Sequence, residues 1–365
     1  MKIVNVEATL IKLPFDSGGS PGWLAATWAT LDYVMVRIDT DAGITGWGDG
    51  FGYGAARATH AFTKHVLAPA LIGRDARDIA GINRDMQYNN HIWGRYGVTM
   101  FAISGIDIAL WDIAGKACGQ PLHQMLGGAR RKRIPAYASL LRYNTPEMVS
   151  ERATAAREQG FAQIKLHEHE EPEVRAAREA VGDDMPIMVD VNCQWTPHHA
   201  RYQTERLAQY DMFWLEEPIF PPEDFDALAR LHLDTGVALA AGENACTAFQ
   251  FQKMIESGGI DFLQPSVTKV GGISEMRKIL TLAETQGATV MPHSPYFATG
   301  LLATLHILAT LPDECLVEYF FYKSLPASLY GDAIVARDGH LDVPDGPGLG
   351  MDPDLDVIKE YAVKD

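Results

Sequence analysis

Three carboxylates recur in matching surroundings: Asp190 in Val189-Asp190-Val191-Asn192, Glu216 in Leu215-Glu216-Glu217-Pro218 and Glu243 in Ala241-Gly242-Glu243-Asn244. Each follows a short apolar run of the kind that forms a buried strand. If those strands are neighbours, the three acids converge on one point and repel one another unless a hard cation lies between them. Oxygen-only donors favour Mg²⁺, with Mn²⁺ as a possible substitute, over zinc. Taken singly, each acid reads as well as a helix N-cap or a salt-bridged rim residue. Three at matched positions select the metal reading.

A metal does no proton transfer by itself, so bases are needed nearby. Lys165-Leu166-His167 ends another apolar run, and strand alternation turns Lys165 and His167 to one side. Met291-Pro292-His293 supplies a second imidazole far along the chain. Histidine exchanges protons near neutral pH, so His167 and His293 are candidate acid–base groups facing a substrate from opposite sides. His169, in the acidic stretch that follows His167, reads as structural.

Positioning these groups requires strands in register. After Arg130 short apolar runs alternate with polar helical stretches, which predicts βαβ units and a parallel sheet. Eight strands are expected: Ile134 to Leu140, Ala162 to Leu166, Pro186 to Val191, Met212 to Glu216, Ala238 to Gly242, Ile260 to Gln264, Thr289 to Pro292 and Leu316 to Glu318. Polar residues stand at their C-terminal ends at 167, 190, 216, 243, 266, 293 and 318, with gaps of 23, 26, 27, 23, 27 and 25 residues. Such even spacing predicts a (β/α) barrel, whose C-terminal face carries the active site. Upstream, Ile3 to Leu13, Asp32 to Asp39 and Gly43 to Asp49 read as an antiparallel sheet. A helix from Met100 to Cys118 follows, closed by Gly119-Gln120-Pro121. The segment from about Leu341 is rich in Pro, Gly and Asp and is expected to pack back on the first domain.

Bulk properties narrow the function further. The 365 residues are 47% hydrophobic and carry a net charge of −16, which leaves no footprint for nucleic acid or an anionic membrane. An anionic substrate therefore needs local positive charge. No uninterrupted apolar run reaches membrane-spanning length, and the start reads as a strand and not as a signal peptide. Cys118, Cys193, Cys246 and Cys315 are widely spaced, which suits reduced thiols in a cytoplasmic protein.

The whole set resembles the enolase superfamily, and within it the mandelate racemase-like acid-sugar dehydratases and racemases. The resemblance rests on the three carboxylate contexts, on Ser104 to Asp112 with Leu126-Gly127-Gly128, on Lys269-Val270-Gly271-Gly272 and on Pro344 to Gly350. It implies an α/β fold: a (β/α)₇β TIM-like barrel at 129–340 under an N-terminal α+β capping domain at 1–128, with 341–365 returning to the cap. It further implies Mg²⁺ on Asp190, Glu216 and Glu243, and a homo-oligomer between dimer and octamer. Substrate contacts would come from Lys165, Asn192 and Glu318 and from cap loops bearing Trp23 and Tyr53. Glu318 matches a position that donates to the substrate carboxylate when protonated; the alternative is a buried acid paired with a lysine.

Two departures stand out. Relatives commonly carry Lys-x-Lys on the second strand, where this chain has His167. On the sixth strand relatives carry an Asp that orients the histidine, or a lysine base, where this chain has Ser266. His293 is therefore expected to lack a carboxylate partner and to lose its proton more easily. The leading expectation is dehydration of a sugar acid to a 2-keto-3-deoxy acid, with His167 and His293 as base and acid in an order left open. Alternatives are racemisation or epimerisation of a hydroxy acid, cycloisomerisation of a sugar-acid lactone, and a sensor that binds sugar acids without turnover. A metallohydrolase fits less well, since no histidine stands among the ligands.

Overall fold

Alternating apolar residues in the first fifty positions build an antiparallel sheet. Strand β1 (Ile3–Pro14) pairs with β2 (Thr30–Thr40), with Leu10 opposite Val34, and β2 pairs with β3 (Thr45–Gly50), with Val36 opposite Gly48. The computed structural model describes residues 1–18 and 30–364. In β3 the sequence Thr-Gly-Trp-Gly-Asp-Gly puts glycine at every second position, so one face has no side chains. Helices α1 (Ala56–Phe62), α2 (Ala68–Leu71) and α3 (Ile79–Asn89) precede α4 (Val98–Cys118), and the short α5 (Leu122–Met125) follows. The backbone of α4 lies directly on that bare face: a Cβ on Gly48 would sit 2.0 Å from the Gly105 carbonyl, and one on Gly46 2.2 Å from that of Ala109. Trp47 and Asp49 consequently point the other way, toward the barrel.

Although α4 is long and apolar enough to cross a membrane, 78% of its most apolar window is buried inside the protein. It ends at Gly119, left-handed at φ 64° and capping the carbonyls of Gly115 and Lys116.

Downstream, strands β4 (Arg133–Ser139), β5 (Ile164–Leu166), β6 (Ile187–Asp190), β7 (Met212–Glu216), β8 (Leu239–Ala241), β9 (Phe262–Leu263), β10 (Thr289–Val290) and β11 (Val317–Phe320) alternate with helices. These are α6 (Pro146–Glu158), α7 (Glu171–Val181), α8 (Pro197–Leu207), α9 (Phe225–Thr235), α10 (Thr247–Ser257), α11 (Ile273–Gln286) and α12 (Thr299–Leu308). The strands run parallel in the order β10-β9-β8-β7-β6-β5-β4-β11, a (β/α)₇β barrel. At the β10–β11 seam, side chains bridge the two strands: Ser294 Oγ donates to the Glu318 carbonyl at 3.1 Å and Leu316 N–H meets Met291 Sδ at 3.3 Å. β9 and β10 stop at two residues each, shorter than the sequence pattern suggests. Pro265 and Pro292 follow closely and have no N–H to extend a ladder. One strand went unanticipated, β12 (His340–Asp342), antiparallel to β4. Helix α13 (Leu355–Tyr361) closes the chain, and Val363 N–H donates to Leu10 in β1 at 2.8 Å.

Strand alternation sorts the barrel's side chains. Tyr137, Met188, Trp214, Ala240, Met291 and Leu316 pack together inside the barrel. Two residues on from five of these, at or just past the strands' C-terminal ends, stand Ser139, Asp190, Glu216, His293 and Glu318, so an apolar floor supports a polar layer.

Three buried aspartates of the N-terminal unit hold it to the rest of the chain. Asp107 accepts from Ser274 N–H at 2.9 Å in the first turn of α11, whose own N-cap is Gly272 with no side chain to offer. Asp112 accepts from Trp47 N–H and Leu349 N–H, each at 2.9 Å, and from Lys116 Nζ at 2.7 Å. Asp49 faces the first turn of α12, where the Gly300 N–H favours its ionised form, but burial outweighs that and raises its pKa to about 7. Placing carboxylates at helix N-termini is favourable electrostatics used here across a domain boundary.

Asp49 yields a pH prediction. A carboxyl raised from near 4 to about 7 takes up a proton on folding in that window, so its contribution to stability falls as pH rises from about 4 to about 7. Asp49→Asn cannot ionise. Relative to wild type it is expected to gain on the order of 2 kcal/mol between pH 5 and pH 8, read from parallel denaturant titrations. A pH-independent difference would show that Asp49 ionises as an ordinary carboxyl.

Candidate active site

At the C-terminal ends of β6 and β7 and just past β8, donor atoms of Asp190, Glu216 and Glu243 lie within 4.8 Å of one another. The chain turns sharply beside them. Asn192 (φ 47°), Cys193 (φ 58°) and Glu217 (φ 44°) are left-handed without being glycine, a strain that gathers at functional sites. Asp190 Oδ1 accepts from the Asn192 N–H at 2.9 Å. Glu216 Oε2 accepts from Trp214 Nε1 at 2.9 Å, a bond between the apolar floor and the polar layer above it.

Lys165 stands at the centre, fully buried. Its Nζ is 2.7 Å from Glu216 Oε1, 2.8 Å from Glu318 Oε1 and 3.4 Å from Asp190 Oδ2. Burial alone would lower its pKa, but Glu216, Glu318, Tyr137 and Asp190 outweigh that and hold it well above the ordinary amine value. The same balance sorts the acids. Burial and the neighbouring Asp190 push Glu216 well up, in spite of Lys165. Asp190 is raised by burial yet brought down to about 2 by Lys165 and His167. Glu243 is likewise penalised by burial but held well below the usual range by His293 and Lys269.

These residues fit a divalent cation. The donors are all oxygens, one of the three cannot keep its charge beside the others without more positive charge, and buried Asp190 Oδ2 makes no hydrogen bond. Its nearest basic atoms are His167 Nε2 at 3.2 Å and Lys165 Nζ at 3.4 Å. Mg²⁺ or Mn²⁺ would be held by Asp190, Glu216 and Glu243.

The two histidines flank this cluster. His167 lies beside Asp190, Nε2 to Oδ2 3.2 Å, while its Nδ1 meets the Leu140 carbonyl at 2.5 Å. A carbonyl only accepts, so Nδ1 carries hydrogen and Nε2 is the nitrogen left for exchange. Arg142 Nε donates to the His167 carbonyl at 2.7 Å and holds the backbone. His293 lies beside Glu243, Nε2 to Oε2 2.7 Å. The expectation that His293 has no carboxylate partner is therefore corrected: none comes from the sixth strand, but Glu243 meets the other ring nitrogen. Ser266 and Tyr296 stand where the Asp was missed, at 3.1 and 3.3 Å from Nδ1.

Glu318 adopts the paired alternative. It accepts from Lys165, from Ser139 Oγ at 2.8 Å and from Ser294 N–H at 2.9 Å. Although burial raises it, Lys165 and His293 bring its pKa below the ordinary carboxylate value, so it is an ionised acceptor and not a protonated donor. Asn192 has an exposed side chain and meets the cluster through its backbone. Tyr53 reaches across from the cap, its OH donating to the Pro295 carbonyl at 3.3 Å. Trp23 lies outside the described residues. Among groups missed by the sequence reading, Lys269 is buried with Nζ 3.5 Å from Glu243 Oε1 and 4.8 Å from the Phe51 ring centroid. It is five residues past the expected strand end at Gln264, where only the loop's path brings it back. With Lys165 it is the second lysine set against the carboxylate cluster.

Residues 21–127 match the family described as Mandelate racemase / muconate lactonizing enzyme, N-terminal domain, and residues 147–357 the one described as Enolase C-terminal domain-like. A D-galactonate dehydratase family member from Streptomyces bingchenggensis is 32% identical over 364 residues, covering 88% of each chain. D-galactarolactone cycloisomerase from Agrobacterium fabrum is 32% identical over 387 residues and covers the whole of both. The structure of L-talarate dehydratase from Polaromonas sp. JS666, complexed with Mg and L-glucarate, superposes with a TM-score of 0.83 at 27% identity, covering all of this chain and 98% of that one.

Mg²⁺ is expected to raise the unfolding temperature. A hundredfold excess over Kd adds about 2.7 kcal/mol to stability. Glu216→Gln and Asp190→Asn should abolish that gain while retaining the native circular dichroism, and an undiminished Mg²⁺ shift in both variants would place the metal elsewhere.

Proposed function

The chain belongs to the mandelate racemase / muconate lactonizing enzyme family of the enolase superfamily, and on that premise we propose that it dehydrates an acid sugar to a 2-keto-3-deoxy acid. The carrying observation is the placement of two imidazoles at opposite ends of one carboxylate triad, His167 against Asp190 and His293 against Glu243. Domain limits of 1–128, 129–340 and 341–365 accompany this reading.

The hydrogen on C2, next to the substrate carboxylate, is very weakly acidic. His167 Nε2 takes it, and the electrons of the C–H bond move onto the carboxylate as a second negative charge. Asp190, Glu216 and Glu243 would hold Mg²⁺, which would supply positive charge against this build-up, a role known across the superfamily beside a Lys or His base. Lys165 faces the same oxygens with its ammonium, kept protonated by Glu216 and Glu318, so its electrostatic stabilisation is in place before the reaction starts. Expulsion of the C3 oxygen follows: the C3–O bond breaks, His293 Nε2 gives its proton to the departing hydroxyl, water leaves and the enol becomes the keto acid.

Cycloisomerisation of a lactone is the second reading. It uses the same elimination with a ring oxygen as leaving group, and the end-to-end similarity to a galactarolactone cycloisomerase favours it. We also propose a homo-oligomer, supported by Tyr88, Ile92, Trp93 and Tyr96, which are 72, 75, 67 and 56% exposed within nine residues of the cap, an apolar patch unusual on a monomer.

A screen of mono- and diacid sugars and their lactones with Mg²⁺ in deuterated water, followed by NMR, tests the function. Dehydration predicts a keto acid formed with loss of water, and His167→Ala and His293→Ala should each reduce its rate by roughly 10²–10⁴-fold. A keto acid formed from a lactone with ring opening and no loss of water would mean cycloisomerisation. C2 exchange with no keto product would mean epimerisation, and binding without either would leave a sensor.

A further inference from the structure

His293 and His167 are held by different kinds of partner. A backbone carbonyl holds His167, whereas His293 Nδ1 faces two hydroxyls, Ser266 Oγ at 3.1 Å and Tyr296 OH at 3.3 Å, which also touch each other. Both are buried, Ser266 at 0% and Tyr296 at 3% exposure. The Tyr296 ring stands nearly perpendicular to the imidazole, 82° at 5.9 Å between centroids. Burial pushes the phenol pKa well above its ordinary value, so the oxygen remains O–H and can accept a bond while donating its own proton elsewhere. The segment is braced on several sides: Tyr296 N–H donates to the Ser294 carbonyl at 2.7 Å, Ser294 N–H to Glu318 at 2.9 Å, and Tyr53 OH from the cap to the Pro295 carbonyl at 3.3 Å.

We propose that Tyr296 and Ser266 together are the positioning pair for His293, accepting its Nδ1–H and turning Nε2 toward Glu243 and the reacting oxygen. They give direction without charge. An Asp at 266 would favour the imidazolium as well as orient it. Two hydroxyls fix which nitrogen faces the substrate. This rests on the reading above in which His293 hands a proton to the oxygen leaving C3. In that step Nε2 loses its proton as the C3–O bond breaks, the ring keeps Nδ1–H on the hydroxyl pair as the neutral tautomer, and a solvent proton restores Nε2 between turnovers. Packing alone does not account for the arrangement. A buried phenol needs a polar partner, and this one has turned to a candidate acid–base nitrogen.

The test uses the Mg²⁺-loaded full chain with ¹⁵N-labelled histidine. Tyr296→Phe and Ser266→Ala should each move the His293 ring nitrogens from one fixed tautomer to a mixture of two. They should lower kcat by roughly 10²-fold with KM within about twofold, since a misdirected ring slows proton transfer more than it weakens binding. Ser266→Thr, which keeps a hydroxyl, should retain both the wild-type nitrogen signals and kcat. Unchanged His293 signals in both Tyr296→Phe and Ser266→Ala would overturn the proposal, as would a loss that tracks thermal stability and is not rescued by Ser266→Thr. The nitrogen signals need no substrate, so this arm stands or falls separately from the dehydratase reading.

Discussion

Everything at the mouth of the barrel depends on one buried ammonium among carboxylates. Lys165 touches Glu216 and Glu318 and lies near Asp190, one positive charge among three acids that water cannot reach. Burying an ion costs several kcal/mol unless partners compensate, and one cation cannot compensate three anions. Glu216 is accordingly driven up while Asp190 and Glu318 are driven down. The arrangement is stable only with further positive charge, and the all-oxygen donor set says which kind.

This charge imbalance explains why the surrounding structure is so tightly determined. Trp214 in the barrel floor bonds Glu216 from below, and Ser139 and the Ser294 N–H hold Glu318 from its sides. The two bonds to Glu318 cross between neighbouring segments and the Trp214 bond runs along β7 itself, so the register that seats the apolar floor also aims the acids. The cap continues the logic from above. Asp49 and Asp107 reach the first turns of α12 and α11, the two helices that flank β10 and the His293 loop. Tyr53 reaches that loop directly. Cap docking and active-site geometry are thus one problem: the glycine face of β3 lets α4 pack close and turns Asp49 toward the barrel.

The barrel was legible because its strands announce themselves by apolar runs and even spacing, and because alternation alone sends Lys165 and His167, or Trp214 and Glu216, to the same side. Strand ends were less legible where prolines cut the ladder after β9 and β10. β12 escaped because His340–Asp342 gains its strand character from pairing with β4 and not from a pattern of its own. Within the site, residues on strands could be placed and residues on loops could not. Lys269 returns to Glu243 only because its loop folds back, and Tyr296 reaches His293 by a local turn in which the Tyr296 N–H bonds Ser294. Glu318 shows another limit: its position was readable, but its ionisation follows from Lys165 at 2.8 Å, a distance no spacing rule supplies.

The contrast between the two histidines then carries an argument about direction. His167 rests on the Leu140 carbonyl, an acceptor that no side-chain substitution removes and that forces hydrogen onto Nδ1. Its Nε2 is thereby committed to the site, as a base must be. His293 instead directs Nδ1 at two hydroxyls and sets Nε2 2.7 Å from a Glu243 oxygen. In the proposed dehydration one imidazole takes a hydrogen and the other gives one. Elimination needs that asymmetry, since hydrogen leaves on one side of the substrate and an oxygen on the other, whereas exchange at a single carbon between two bases would be served by matched partners. On the proposed reading, the unequal support of His167 and His293 suits β-elimination better than exchange at a single carbon.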